Sequence, residues 1–179
     1  MSSKKDKFYL KLALNLAKQN EGLTNENPSV GCVIVKDNKI LSLSKTSISG
    51  RPHAEDNAIR FANTNDLKGS TIYVTLEPCT HHGKTPPCTD LIIKKKISKI
   101  VYASNDIDER TANKLKKVLK NHNISTKQIR MKEINDFYKS YFFIRKNKFP
   151  YVTAKLACSN DYYIYSKKNK NITNELSRK

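Results

Sequence analysis

The sequence has no tryptophan, and it sets only 16 acidic residues against 34 basic ones. It contains no apolar run long enough to cross a bilayer, no internal repeat and no long low-complexity tract. A membrane-spanning helix and a solenoid are thereby set aside. Lysines lead the N-terminus, but Lys11 and Asn15 interrupt the apolar stretch 8–17, so it does not read as a signal peptide. The four cysteines (Cys32, Cys79, Cys88 and Cys158) are not a secreted disulfide framework, and a reducing, cytoplasmic setting is expected. The net charge of +18 invites a nucleic-acid reading. Yet the excess is mostly lysine spread along an asparagine-rich chain. No basic motif is interleaved with aromatics that would stack bases. Nucleic acid is therefore not the expected partner.

At 179 residues and 37% hydrophobic content, the chain can build one domain, or one domain with an appendage. Residues 6–20 read as a helix, with Phe8, Leu12, Leu16 and Leu10, Leu14, Ala17 forming its apolar stripe. Residues 24–28 have turn chemistry, and Val30–Val35 reads as a strand buried on both faces. A turn at 36–39 leads to a second strand at 40–44. Further helices are expected at 53–63, 86–96, 110–120 and 134–146. Further strands are expected at 70–76, 99–103 and 124–128. This alternation predicts an α/β fold: a mixed sheet with helices on both faces.

Two segments carry the chemistry. Gly50-Arg51-Pro52-His53-Ala54-Glu55 and Thr75-Leu76-Glu77-Pro78-Cys79 through Cys88 together give the pattern H-x-E … P-C-x8-C. One histidine and two cysteines are a ligand set for zinc with one position left open, and the glutamate is a proton shuttle that is not itself a ligand. Zinc so held lowers the pKa of a water from about 15.7 to roughly 7. His53, Cys79 and Cys88 are the candidate metal ligands, and Glu55 is the candidate catalytic residue. His53 and Glu55 are expected in the first turn of a helix, whose unpaired amides favour negative charge. Cys79 is expected at the C-terminal end of a strand, the usual mouth of an open α/β sheet.

Across residues 8–157 the chain resembles the N-terminal deaminase domain of the bifunctional riboflavin-biosynthesis deaminase/reductase family, in the cytidine-deaminase-like superfamily. The resemblance is carried by Thr24-x-x-Asn27-Pro28-x-Val30-Gly31-x-Val33-Ile34-Val35, by Gly50-x-Pro52-His53-Ala54-Glu55, and by Tyr73-Val74-Thr75-Leu76-Glu77-Pro78-Cys79-x-His81-His82-Gly83-Lys84-Thr85-Pro86-Pro87-Cys88. The last is the most specific, because other superfamily members mostly have P-C-x-x-C. The resemblance implies a three-layer α/β/α sandwich on a mixed sheet of about five strands. It implies one zinc per chain and hydrolytic removal of the 2-amino group from 2,5-diamino-6-ribosylamino-4(3H)-pyrimidinone 5′-phosphate, a small-molecule ribotide. It also implies a homo-oligomer, and substrate contacts at Asn27, Lys84 and Asp106. Lys84 would meet the phosphate as a point charge, and Asn27 offers both a donor and an acceptor to a pyrimidinone edge. A loop-capping Asn27 and a merely solvated Lys84 are the plainer readings of those two residues. His81 and His82 are expected as loop and substrate-wall residues rather than ligands.

The sequence also departs from that family. Thr46 stands where a histidine is common, and the usual D-P-N-P segment reads Asp106-Ile107-Asp108-Glu109. Asp108 is expected to repel a phosphate. Residues 1–147 are read as the deaminase domain. Residues 148–179 are read as the truncated start of a reductase domain or a basic tail, in which Pro150–Asp161 resembles the reductase's opening strand and the residues beyond Ser159 are expected to be poorly ordered. Some 30 residues cannot build a dinucleotide-binding domain, so no NADPH is expected here and a separate chain or domain would supply the reductase step. Two other readings stay open at this level: a tRNA or free-nucleobase deaminase, and a catalytically decayed, zinc-stabilised scaffold.

Overall fold

The computed structural model describes residues 2–62, 66–83, 85–158 and 162–163. They fall in two compact units, Met1–Lys148 and Phe149–Lys179. The first contains α1 (Ser2–Lys18), β1 (Gly31–Lys36), β2 (Lys39–Lys45), α2 (Ala54–Arg60), β3 (Thr71–Leu76), α3 (Cys88–Lys94), β4 (Lys99–Ser104), α4 (Leu115–Leu119), β5 (Ser125–Gln128), α5 (Lys132–Phe137) and α6 (Lys139–Asn147). In the second unit the described residues, 149–158 and 162–163, are exposed and carry no helix or strand. The reductase-like strand anticipated from Pro150 is not a strand here, and residues 159–161 and 164–179 lie outside the described residues.

The five strands form one sheet in the order β2-β1-β3-β4-β5. β1 is antiparallel to both its neighbours, whereas β3, β4 and β5 pair in parallel. Four strands thus point one way and β1 alone runs against them. The links β2-α2-β3, β3-α3-β4 and β4-α4-β5 step in one direction, and the right-handed crossover rule puts α2, α3 and α4 on one face. α1 lies on the other face, where Tyr9 packs on Tyr73 with ring centroids 4.8 Å apart. The result is an α/β sandwich on a mixed sheet. The hairpin between β1 and β2 turns at Asp37 and Asn38, both at positive φ, as a two-residue turn of the primed type requires.

α1 buries Leu10, Ala13, Leu14 and Ala17 at helical spacing, with Tyr9 beside them. Phe8, expected in the buried stripe, is exposed instead. The helix lies very close to β1: a Cβ added at Gly31 would stand 1.8 Å from the Ala13 carbonyl oxygen. A polar pin reinforces this contact. The Tyr73 hydroxyl donates to Asp6 Oδ1 at 3.0 Å, and Lys127 Nζ donates to Asp6 Oδ2 at 2.7 Å. Burial alone would raise the Asp6 carboxyl. The bonds from Lys127 and Tyr73 and the charges of Lys99 and Lys127 outweigh it and hold the group below its ordinary value.

The five expected helices all differ in their boundaries, and for three of them a local cause is visible. α3 starts at Cys88 rather than Pro86, because Pro87 takes an extended conformation as its cap. α4 starts at Leu115 rather than Arg110. Asn113 turns back at positive φ, and the amides of Asn113 and Leu115 go to the buried Glu77 carboxylate at 3.1 and 3.3 Å. The helix expected over 134–146 breaks at Tyr138 into α5 and α6. The Tyr138 ring is fully buried, and its hydroxyl lies 2.6 Å from Thr75 Oγ1 and 3.0 Å from the Ser29 carbonyl oxygen. The helix expected to reach Asn63 ends at Arg60, and residues 63–65 lie outside the described residues.

Two stability predictions follow from these contacts. Gly31→Ala should destabilise by about 2–4 kcal/mol, because the neighbour is backbone and α1 must move; urea unfolding measures it. Asp6→Asn should cost about 1–3 kcal/mol at neutral pH. Because the folded-state pKa of Asp6 is lowered, its contribution is complete above the ordinary carboxylate value and drains away as pH falls below it. The stability of the parent protein and of Asp6→Asn should therefore converge below about pH 4.

Candidate metal centre and active site

The parallel strands deliver their carboxyl ends to one edge of the sheet, and the site is built from the loops found there. The loop after β2 carries Arg51 and His53, the loop after β3 carries Cys79 and His81, and the loop after β4 carries Asp106 to Arg110. The antiparallel β1 brings its amino end to the same edge and adds Asn27 to Val30. The loop after β2 is fixed from beneath. Asn57 on α2 donates to the Lys45 carbonyl and to the Ser47 hydroxyl, both at 2.9 Å. Gly50 sits at φ +87, where a Cβ would come within 2.6 Å of both Asn27 Nδ2 and the Thr24 carbonyl oxygen. Asn27 Nδ2 donates to the Gly50 carbonyl at 3.1 Å, so the loop bond weighed for Asn27 is present, with the residue still in the pocket wall.

His53 is the cap of α2 rather than a residue within its first turn, and Glu55 is the second helical residue and buried. Cys79 lies just past β3, and Cys88 opens α3. The ligand atoms of His53, Cys79 and Cys88 all lie within 4.8 Å of one another. His53 Nδ1 stands 3.6 Å from Cys79 Sγ and 3.4 Å from Cys88 Sγ. A tetrahedral zinc with ordinary Zn–S and Zn–N bonds has N···S edges of about 3.6 Å, so both histidine-to-sulfur distances suit that ion. The Cys88 amide donates to Cys79 Sγ at 3.2 Å, which anchors the second ligand to the first.

The acid–base chemistry of the cluster is uneven. The hydrogen bond from Cys88, with His53 adding to it, pulls the Cys79 thiol down to about 4. The same contact, together with burial, pushes the Cys88 thiol up. The hydrogen bond to Cys79 raises His53 against the effect of burial. Glu55 is pushed up to about 7 by burial, with the His53 charge opposing the shift. A carboxyl held near neutrality beside the ligand cluster can both accept and return a proton under ordinary conditions.

Asn27, Glu55, Cys79, His81 and Asp106 line one pocket with His53. The sequence-predicted residues are thus brought together, except Lys84, which lies outside the described residues. His81 is in the wall, with Nδ1 2.9 Å from Thr111 Oγ1. His82 is exposed, with Nε2 3.8 Å from Asp90 Oδ2. Asp106 is raised by burial and receives the Asp108 amide at 3.1 Å. Asp108 is not an open repulsive charge. Arg110 grips both its oxygens, at 2.9 Å (Nε to Oδ1) and 2.5 Å (Nη2 to Oδ2), and holds its pKa well below the usual carboxylate range. Thr46 is buried, and its hydroxyl accepts the Val30 amide at 3.0 Å, so the residue found where a histidine is common secures the edge of the pocket. Sequence reasoning missed Glu77 as the anchor for residues 113–115, and also Arg110, Tyr141 and Arg145 in the wall. Glu77 adjoins the Pro-Cys motif and could have been found. Arg110 directly follows the 106–109 segment, and Tyr141 and Arg145 lie in the helix expected over 134–146, but nothing local marks these side chains as facing the pocket.

Residues 3–104 match the family described as the cytidine and deoxycytidylate deaminase zinc-binding region. The riboflavin biosynthesis protein RibD of Aquifex aeolicus is 42% identical over 157 residues, which is 87% of this chain and 44% of that protein. The diaminohydroxyphosphoribosylamino-pyrimidine deaminase of Buchnera aphidicola subsp. Schizaphis graminum is 42% identical over 141 residues, 79% of this chain and 95% of that protein. The chain therefore spans less than half the length of the RibD protein but nearly all of the shorter deaminase. Among solved structures, the Thermotoga maritima deaminase/reductase superposes with a TM-score of 0.84 at 35% identity, covering 96% of this chain and 51% of that one. The dCMP deaminase of cyanophage S-TIM5, at 19% identity and a TM-score of 0.56 over 72% of this chain and 99% of that one, shares the fold. On the match over 3–104 and the near-complete correspondence with the Buchnera protein, the chain belongs to the zinc-binding cytidine and deoxycytidylate deaminase family, on its diaminohydroxyphosphoribosylaminopyrimidine deaminase branch.

Proposed function

We propose that this protein removes, by hydrolysis, the 2-amino group of 2,5-diamino-6-ribosylamino-4(3H)-pyrimidinone 5′-phosphate in riboflavin synthesis. The observation that carries the reading is the convergence of His53, Cys79 and Cys88 within 4.8 Å beside the buried Glu55. The names of the relatives support the choice of substrate: the Buchnera protein is a diaminohydroxyphosphoribosylamino-pyrimidine deaminase, and the Aquifex protein a riboflavin biosynthesis protein.

His53, Cys79 and Cys88 hold one zinc in this reading. When bound, zinc supplies a water acidified to a pKa of roughly 7 and ready to attack the amino-bearing carbon. Everything else is the work of the chain. Glu55, with its carboxyl raised to about 7, takes one proton from the attacking water and gives it to the ring nitrogen as the C–O bond forms. It then moves the remaining hydroxyl proton to the amine, which leaves as ammonia as the C–N bond breaks and the carbonyl forms. Burial keeps this proton off bulk solvent during the transfer. Asn27 and Asp106, both in the pocket wall, are assigned to the polar edge of the pyrimidinone and its ribose. Lys84 is assigned to the phosphate on the family resemblance.

Ammonia release from the ribotide, with cytidine and adenosine as controls, is the direct test. Turnover of the ribotide alone supports the reading; turnover of cytidine or adenosine instead replaces it. Glu55→Gln should keep its zinc and lower kcat by about 10²–10⁴-fold. Unchanged turnover in that variant would remove Glu55 from the mechanism. Cys88→Ser should lose zinc, read by metal analysis of the purified protein, and lose activity in the same proportion. Activity that survives the loss of zinc would break the link between the cluster and the chemistry.

A further inference from the structure

Three arginines stand in the pocket wall, Arg51, Arg110 and Arg145, and they are not equally engaged. Arg110 is matched to Asp108 by its two-point grip. Arg51 donates to the Thr85 hydroxyl at 2.5 Å and stands close enough to disfavour the charged form of His53, which places it at the metal end. Arg145 is different. One of its Nη atoms donates to the Glu26 carbonyl at 2.8 Å, and its guanidinium lies over the Tyr141 ring, 5.7 Å from the centroid. Both partners are neutral, and no carboxylate pairs with it among the described residues. It also lines an adjoining groove, where Arg110, Lys146 and Lys148 outnumber the acidic Asp108 and Glu109.

We propose that Arg145 binds the phosphate of the substrate and so makes the site select a ribotide over the free base or the riboside. The identity of the ring rests on the function proposed above; the anion site does not. A guanidinium carries five donors; the Glu26 carbonyl engages one and the Tyr141 hydroxyl another, which leaves three for phosphate oxygens. The stack on Tyr141 and the bond to Glu26 already immobilise the side chain, so binding costs little further entropy. Asp108, the carboxylate nearest in kind to a repulsive charge, is neutralised by Arg110. Arg145 is half-buried, where its charge is screened less than that of a surface lysine. A purely structural alternative is visible too: Arg145 ties α6 to the loop that carries Glu26 and Asn27.

The test separates the two roles. Zinc-loaded full-length protein is titrated calorimetrically with ribose 5-phosphate and with ribose, for the parent and for Arg145→Met and Arg145→Lys. The parent should bind the phosphate ester, Arg145→Met should weaken it about 10- to 100-fold, and Arg145→Lys should recover part of the loss. In turnover, Arg145→Met should lower kcat/KM on the ribotide by a similar factor and lower it much less on the dephosphorylated riboside. Ribose 5-phosphate that binds neither protein, or both equally, overturns the proposal. An equal fall on ribotide and riboside also overturns it, in favour of the tether. Arginine-dependent binding of ribose 5-phosphate without ribotide turnover would keep the anion site and retire the pyrimidine assignment.

Discussion

The contact on which the rest depends is the approach of two sulfurs and one imidazole nitrogen, from three separate segments, to within one zinc coordination sphere. No single element could do this. Cys79 comes from the end of β3, Cys88 from the start of α3, and His53 from the cap of α2. The positions of α2 and α3 follow from the crossovers of β2, β3 and β4, so the sheet order itself sets the ligand geometry. Gly31 matters for the same reason. It lets α1 close onto β1, and β1 brings the Asn27 loop to the edge where the ligands meet.

The motif was legible because the chemistry leaves few alternatives. Three metal-binding side chains that leave one position open, with a free carboxylate two residues from one of them, mark a catalytic zinc pattern. His53, Glu55, Cys79 and Cys88 show it in type and spacing, and the resemblance carried by the surrounding residues made it specific. The strands were legible for a similar reason, since β1, β3 and β4 are continuous apolar runs bounded by turn residues. The helices beyond residue 104 were less so. α4 is short because Glu77, nearly forty positions away, draws the amides of Asn113 and Leu115 out of any longer helix. α5 and α6 separate because Tyr138 reaches Thr75 and Ser29 across the sheet end. Local propensity contains neither contact. Phe8 shows the converse: its spacing fits a buried stripe, but the helix face that meets the sheet is set by Leu10, Ala13, Leu14 and Ala17.

The departures from the family pattern have local compensations. Thr46 gives up whatever a histidine would offer, yet its hydroxyl satisfies the Val30 amide where β1 begins. Asp108 introduces a charge that would oppose an anionic substrate, yet Arg110, two residues on, answers it with a two-point grip. A change at one position is accordingly a poor guide to decay. The nearest partners decide whether a new charge or a lost ring is felt at the site, and here they absorb both.

The charge arrangement of the pocket makes a single argument. Glu55, Glu77, Asp106 and Asp108 all border it, and four carboxylates would exclude an anion if all were ionised and bare. Each is dealt with separately. Glu77 is held by backbone amides, and Asp108 by Arg110. Glu55 is pushed up to about 7 by burial, which reduces its ionised fraction near neutral pH, and burial raises Asp106 as well. The cations of the wall that no carboxylate grips among the described residues are Arg51 at the metal end and Arg145 toward the groove, both held by neutral acceptors. The overall lysine excess explains none of this, because solvated surface charge is screened within about 8–10 Å. It is these two guanidiniums inside the wall, without a carboxylate partner among the described residues, and not the net charge of +18, that set the local charge available to a ligand.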